Sequence, residues 1–229
     1  MENWEIGELA VVQKSTREGK ECLRRTMANL SCILLTIMEE RVSMTNEHST
    51  YVVQRASNDQ SLSLAQRGEF ETISREACDA RNKIFQQTKE AVQTFQERIG
   101  LTVHDEVPIT EFAFDEFPTL QELADSFVEK MSEISRGAVI KVKSLGGEKT
   151  VEDAWNERKE IFDRKIEKWR MCLEEECGNR ITELRSLALN VDRAQRTLGN
   201  TGSGEVSQAL ARFESSILRT FELLDTLVG

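Results

Sequence analysis

The residues of this chain that can do chemistry are few and scattered. His48 and His104 are its two histidines, and neither has another histidine or a cysteine at metal-ligand spacing. Cys172 and Cys177 stand five apart, which puts them on different faces of a helix, whereas a structural zinc needs four converging ligands. The run Glu174, Glu175 and Glu176 reads as a solvated acidic face, because a hard cation wants oxygens converging from a shaped loop. The string from Leu145 to Thr150 invites comparison with a phosphate-binding loop. That motif requires glycine directly before its Lys-Thr pair, and Glu148 stands there instead. Asn29, Leu30 and Ser31 match the N-glycosylation tripeptide, which has meaning only in a secreted chain. No catalytic residue, cofactor-binding residue or metal ligand is assigned, and an enzyme is not expected.

Composition points to a soluble helical protein. Charged residues make up 31% and hydrophobic ones 39% of 229 residues, with a formal net charge of −10. That charge, without a block of Lys and Arg, argues against a nucleic-acid binder. The longest apolar stretch, around Cys32 to Leu35, falls far short of the roughly 20 residues that span a bilayer. The acidic start, Met1 to Glu5, does not read as a signal peptide, and five scattered cysteines agree with a reducing, cytoplasmic setting.

What could position any function is helix packing. Leu23, Leu30, Ile37, Met44 and Tyr51 repeat at seven-residue spacing, the period of helices wound around one another. With these as a positions, the d row holds Thr26, Ile33, Glu40 and Glu47, and is apolar at Ile33 alone. The stripe can instead widen to Met27, Leu34 and Val52 and pack as a bundle. The fold class expected is all-α: an elongated segmented coiled coil or helical bundle with an interruption containing Pro and Phe.

The first helical region is expected over 1–100, with one helix from about Trp4 to Arg55 and a second from Glu69 to Ile99 after a polar stretch. The second carries Phe70, Ile73, Ala77, Ala80 and Ile84, then Val92, Phe95 and Ile99 in a shifted phase. A connector is expected over 101–118, where Pro108 and Pro118 bracket Phe112, Phe114 and Phe117 as an extended docking segment or hydrophobic clasp. A second helical region follows over 119–198. Thr119 and Glu122 form a capping box at its start, Ala138 to Lys143 is helix or irregular chain, and Thr150 caps a long helix. That last helix carries Phe162, Ile166, Trp169 and Leu173. A glycine-rich hinge at 199–204 and a C-terminal helix over 205–229 complete the chain.

Thr16-Arg17-Glu18 recurs as Ser74-Arg75-Glu76, an interval of twice 29 residues, or twice four heptads plus one skipped residue. With Ser15 to Glu18, Ile73 to Ala77 and Leu173 to Arg180, the chain resembles the striated fibre assemblin and giardin family. That resemblance implies a non-enzymatic, segmented coiled-coil protein assembling into filaments beside microtubules. Its partners would be other copies of itself, as a homo-oligomer, or other coiled-coil and cytoskeletal proteins. The connector and the hinge depart from an unbroken rod. The alternative is a helical-bundle adaptor or scaffold. A curved membrane-binding dimer would require a basic face built from residues such as Arg24, Arg25, Lys141 and Lys143, and membrane binding is not the expectation.

Overall fold

The computed structural model describes the backbone of residues 2–102 and 109–197. Side chains are described from Glu21, except residues 22, 23, 26 and 100–118 and part of 173–197. The described residues form four helices and no strand: α1 Glu2–Asn58, α2 Leu64–Thr102, α3 Ile109–Ser144 and α4 Glu148–Thr197. The chain is all-α, as its periodicity implies. Among the described residues no helix is long and apolar enough to cross a membrane. The hinge at 199–204, the helix at 205–229, His104, Pro108 and the side chains of Leu23, Phe112, Phe114, Phe117, Leu173 and Cys177 lie outside the described residues.

Three expectations about helix ends are corrected. Helix α3 begins at Ile109, not after Pro118, so residues 109–118 are helical rather than extended. The reason lies in the spacing. Ile109, Ala113, Phe117, Leu120, Ala124, Phe127 and Met131 recur at steps of three and four straight through the proline, and this row outweighs the one hydrogen bond that Pro118 forfeits. Thr119 therefore sits inside the helix.

Helix α2 begins at Leu64, ahead of the expected Glu69, because Ser63 and Gln66 form a reciprocal capping box. The Gln66 N–H donates to Ser63 Oγ at 3.3 Å, and the Ser63 N–H donates to Gln66 Oε1 at 2.8 Å. Thr150 is likewise not a cap. The Gly147 carbonyl accepts the Val151 N–H at 3.0 Å to open α4, and Thr150 is buried within it.

The row on α2 departs from the expected register by one residue at two places, with Arg81 in place of Ala80 and Phe85 in place of Ile84. Phe70, Ile73, Ala77, Arg81, Phe85, Thr88, Val92, Phe95 and Ile99 are all buried, at steps of three and four, whereas Ala80 and Ile84 are half-buried. The phase shift expected near Ile84 is absent once Arg81 is counted in the row.

The chain divides into two compact units. One comprises Met1–Ile33, Val92–Leu123 and the chain from Met171; the other comprises Leu34–Ala91 and Ala124–Arg170 among the described residues. In the first, Met27, Leu30, Val92, Phe95, Ile99 and Leu120 are buried. Ser31 is buried among them with both roles of its hydroxyl used, donating to the Ala28 carbonyl at 2.8 Å and accepting from Gln96 Nε2 at 2.6 Å. The Arg24 guanidinium, followed by Arg25, holds the Glu21 carboxyl down at about 2.

At one end of the second unit the α1–α2 turn meets the α3–α4 turn. Ala56, Leu62, Phe70, Ile73 and Val142 form its core there, with Ala138, Leu145 and Val151 packed against them. Asp59 accepts from the Ser61 N–H at 2.9 Å and the Ser61 hydroxyl at 2.6 Å, and Arg67 Nη2 donates to the Asp59 carbonyl at 2.6 Å. Gln66 Nε2 reaches the Leu145 carbonyl at 2.8 Å and ties the two turns together. The α3–α4 turn is a Schellman motif, with Gly146 N–H to the Lys143 carbonyl at 3.0 Å and Gly147 N–H to the Val142 carbonyl at 3.0 Å. Gly146 has φ 85°, the left-handed conformation that glycine adopts without a Cβ penalty.

Candidate functional site

Within the second unit, α1 forms the floor of a cleft of about 680 Å³, walled by α2 and α4. Its floor residues, Glu39, Val42, Ser43, Asn46, Glu47, Thr50, Tyr51 and Gln54, follow one helix face at steps of three and four. Asn82, Phe85 and Gln86 come from α2 and Arg158 from α4. The lining is mostly amide and hydroxyl, with two carboxylates and one guanidinium.

Arg158 is held on several sides. Its guanidinium carbon lies 5.4 Å from the Tyr51 ring centre and 5.5 Å from that of Phe162, and Nη2 donates to Glu47 Oε2 at 3.0 Å. Its Nε is buried without a hydrogen-bond partner. Next to it on α4, Glu157 accepts from the Tyr51 hydroxyl and from Arg55, and just over one turn earlier Asp153 accepts from Arg55 Nη2 at 3.1 Å. The Glu157 contact pushes the Tyr51 phenol above its usual range. These ion pairs are substantially exposed and screened by solvent, so they add little to stability, and their main effect is to fix α1 against α4.

Behind the cleft sit groups whose charge is poorly compensated. Arg81 is 2% exposed, and its Nη1 donates to Ser49 Oγ at 2.9 Å and Asn46 Oδ1 at 3.2 Å, both neutral. Burial lowers its guanidinium below the ordinary range. Burial also pushes Arg41 down to about 10. His48 packs edge-on to Trp155, with ring centres 5.8 Å apart, and to Phe162 at 6.0 Å, leaving Nδ1 buried without a partner. Burial, then the charges of Arg158 and Arg81, lower the imidazole to about 4, so it is neutral at pH 7.

Of the sequence-chosen seam residues, Leu30, Ile37, Met44, Phe70, Ile73 and Phe162 are buried, while Ile33, Tyr51, Ile84, Ile166 and Trp169 are half-buried. Tyr51 alone among them lines the cleft. Sequence reasoning passed over Asn46, Arg81, Asn82 and Arg158. The available signal was an arginine placed four residues from both Ala77 and Phe85. His48 ends in an aromatic setting rather than a ligand set, and Cys172, Glu174 and Glu175 are exposed. Among the described residues no group of three or more His, Cys, Asp or Glu side chains is placed to hold a metal ion. No family model, curated protein or solved structure matches the chain.

Proposed function

We propose that this chain is a non-enzymatic helical-bundle scaffold that binds partner molecules on its helical faces. One observation carries the reading: Leu30, Ile37 and Met44, the centre of the heptad row, are 4%, 5% and 1% exposed in a single chain. A row consumed by the chain's own packing is not free to recruit a second copy, so partners meet the faces left outside it. The fixed cleft of the second unit is one such face.

A self-assembling, filament-forming role of the assemblin kind has an observation of its own. Ile161, Met171 and Leu189 on α4 are large, apolar and 44%, 61% and 64% exposed. Sedimentation velocity over a concentration series separates the two readings. The scaffold reading expects one monomeric species throughout. Concentration-dependent growth into large species that Met171→Glu abolishes would overturn it in favour of assembly.

A further inference from the structure

We infer that the cleft between α1, α2 and α4 binds a carboxylate, held by Arg158 and by the side-chain amides of Asn46 and Asn82. The orientation of those amides follows from Arg81. A guanidinium only donates hydrogen bonds, so the Asn46 atom facing Arg81 Nη1 is its carbonyl oxygen, at 3.2 Å. The Asn46 amide nitrogen is thereby turned away and donates to Asn82 Oδ1 at 3.0 Å, which in turn directs the Asn82 nitrogen outward. Asn46 and Asn82 both line the cleft. A buried cation without a carboxylate partner thus aligns two neutral amides as donors.

The planar Arg158 guanidinium adds the charge. One of its five N–H groups is engaged, by Glu47, whose side chain is 48% exposed. Glu47 marks where a carboxylate sits on this guanidinium, and an incoming carboxylate displaces it into solvent, pairing side by side with the planar fork. Tyr51 and Phe162 keep the guanidinium in place for the exchange. A single guanidinium with two amides suits a planar carboxylate better than a tetrahedral phosphate, and the Glu39 and Glu47 charges in the same cleft weigh further against two negative charges concentrated on one phosphate group. The inference stands whether the chain is a scaffold or a filament subunit.

The test follows the Asn46 and Asn82 side-chain amide resonances of the full, isotope-labelled chain during titration. The probes are glutarate, uncharged glutaramide, inorganic phosphate, and an acetylated tripeptide amide with a central glutamate. Saturable shifts at both amides with glutarate or the peptide, and none with glutaramide, are expected. Binding of the peptide alone assigns the site to a partner's acidic side chain; binding of glutarate alone assigns it to a free dicarboxylate. Glu47→Gln removes the competitor and is expected to tighten binding severalfold. Arg158→Met is expected to weaken it by about tenfold or more. Because Arg158→Met also disturbs packing on two rings, the exposed change Asn82→Asp, which turns a donor into an acceptor, provides a second loss of similar size. Absence of saturable shifts with both carboxylates, phosphate binding as tightly as glutarate, or unchanged affinity in Asn82→Asp would overturn the inference.

Discussion

Gly147→Ala offers the sharpest test of the second unit's packing. A Cβ at this position would lie 2.5 Å from Phe70 Cζ, 2.7 Å from Phe70 Cε2 and 2.6 Å from Val142 Cγ1. Carbon atoms rest about 3.5–4.0 Å apart, so two side chains must each retreat by roughly 1 Å. They have little room to do so, being 1% and 7% exposed in a core closed by Ala56, Leu62 and Ile73. Overpacking of this kind costs about 1–3 kcal/mol, and collision with two buried neighbours places Gly147→Ala near the upper end. Backbone strain adds nothing, because Gly146 is the glycine with positive φ. For a chain of this size each 1 kcal/mol moves the midpoint by about 2–4 °C, so thermal circular dichroism is expected to record a drop of roughly 5–10 °C. Gly137→Ala is the internal control. Nothing lies within 4 Å of the added Cβ, and mid-helix alanine gains about 0.5–1 kcal/mol, raising the midpoint. The reasoning fails if Gly147→Ala melts with the wild type, or if Gly137→Ala is equally harmful.

Three further changes probe other parts of the bundle. The His48 imidazole is lowered in the folded state from 6.5 to about 4, so between those values the unfolded chain binds the proton more readily. Stability therefore falls on acidification through this window, by about 2 kcal/mol at pH 5, and His48→Leu should flatten the urea midpoint between pH 8 and pH 5 relative to wild type. The Glu21 leg, with its carboxyl lowered from 4.5 to about 2, falls below the pH 5 to pH 8 range compared; identical pH profiles for the two proteins would refute the His48 assignment. Ser63→Ala removes the acceptor for the Gln66 N–H and should cost about 1 kcal/mol in urea unfolding, with no loss disproving the cap. Ile37→Asp places a charge at a site 5% exposed, and a monomeric bundle should lose helical circular dichroism at every concentration. Retained helicity with altered sedimentation would return Ile37 to an intermolecular seam.

The helices were legible in the chain because apolar residues recur at three and four for most of its length, from Met27 on α1 to Phe162 on α4. Their ends were less so. Ser63 and Gln66 carry an S-x-x-Q signal that is short and sits in a polar run, where the absence of Pro and Gly left loop and helix equally open. Pro118 drew a boundary because its cost is local and visible, while the row from Ile109 through Phe117 to Phe127 that overrides it is distributed over many residues. Gly147 reads as flexibility in a sequence; its necessity comes from Phe70, distant along the chain but adjacent in the core.

Arg81 explains why the site was harder to read than the fold. Counting apolar residues alone skips it, moves the row to Ala80 and Ile84, and creates a phase slip before Val92. Counting it restores an uninterrupted face from Phe70 to Ile99, at the cost of burying a cation. A buried charge with neutral partners is expensive, and replacing it with an apolar residue is often neutral or stabilising. Core packing therefore gives no reason for an arginine here, whereas its effect on Asn46 and Asn82 does: the same guanidinium that interrupts the hydrophobic pattern fixes which atoms the cleft presents. Where a helical row is broken by one charged residue whose neighbours four positions either side are buried, as with Ala77 and Phe85, the break points toward the polar face behind which that charge is placed.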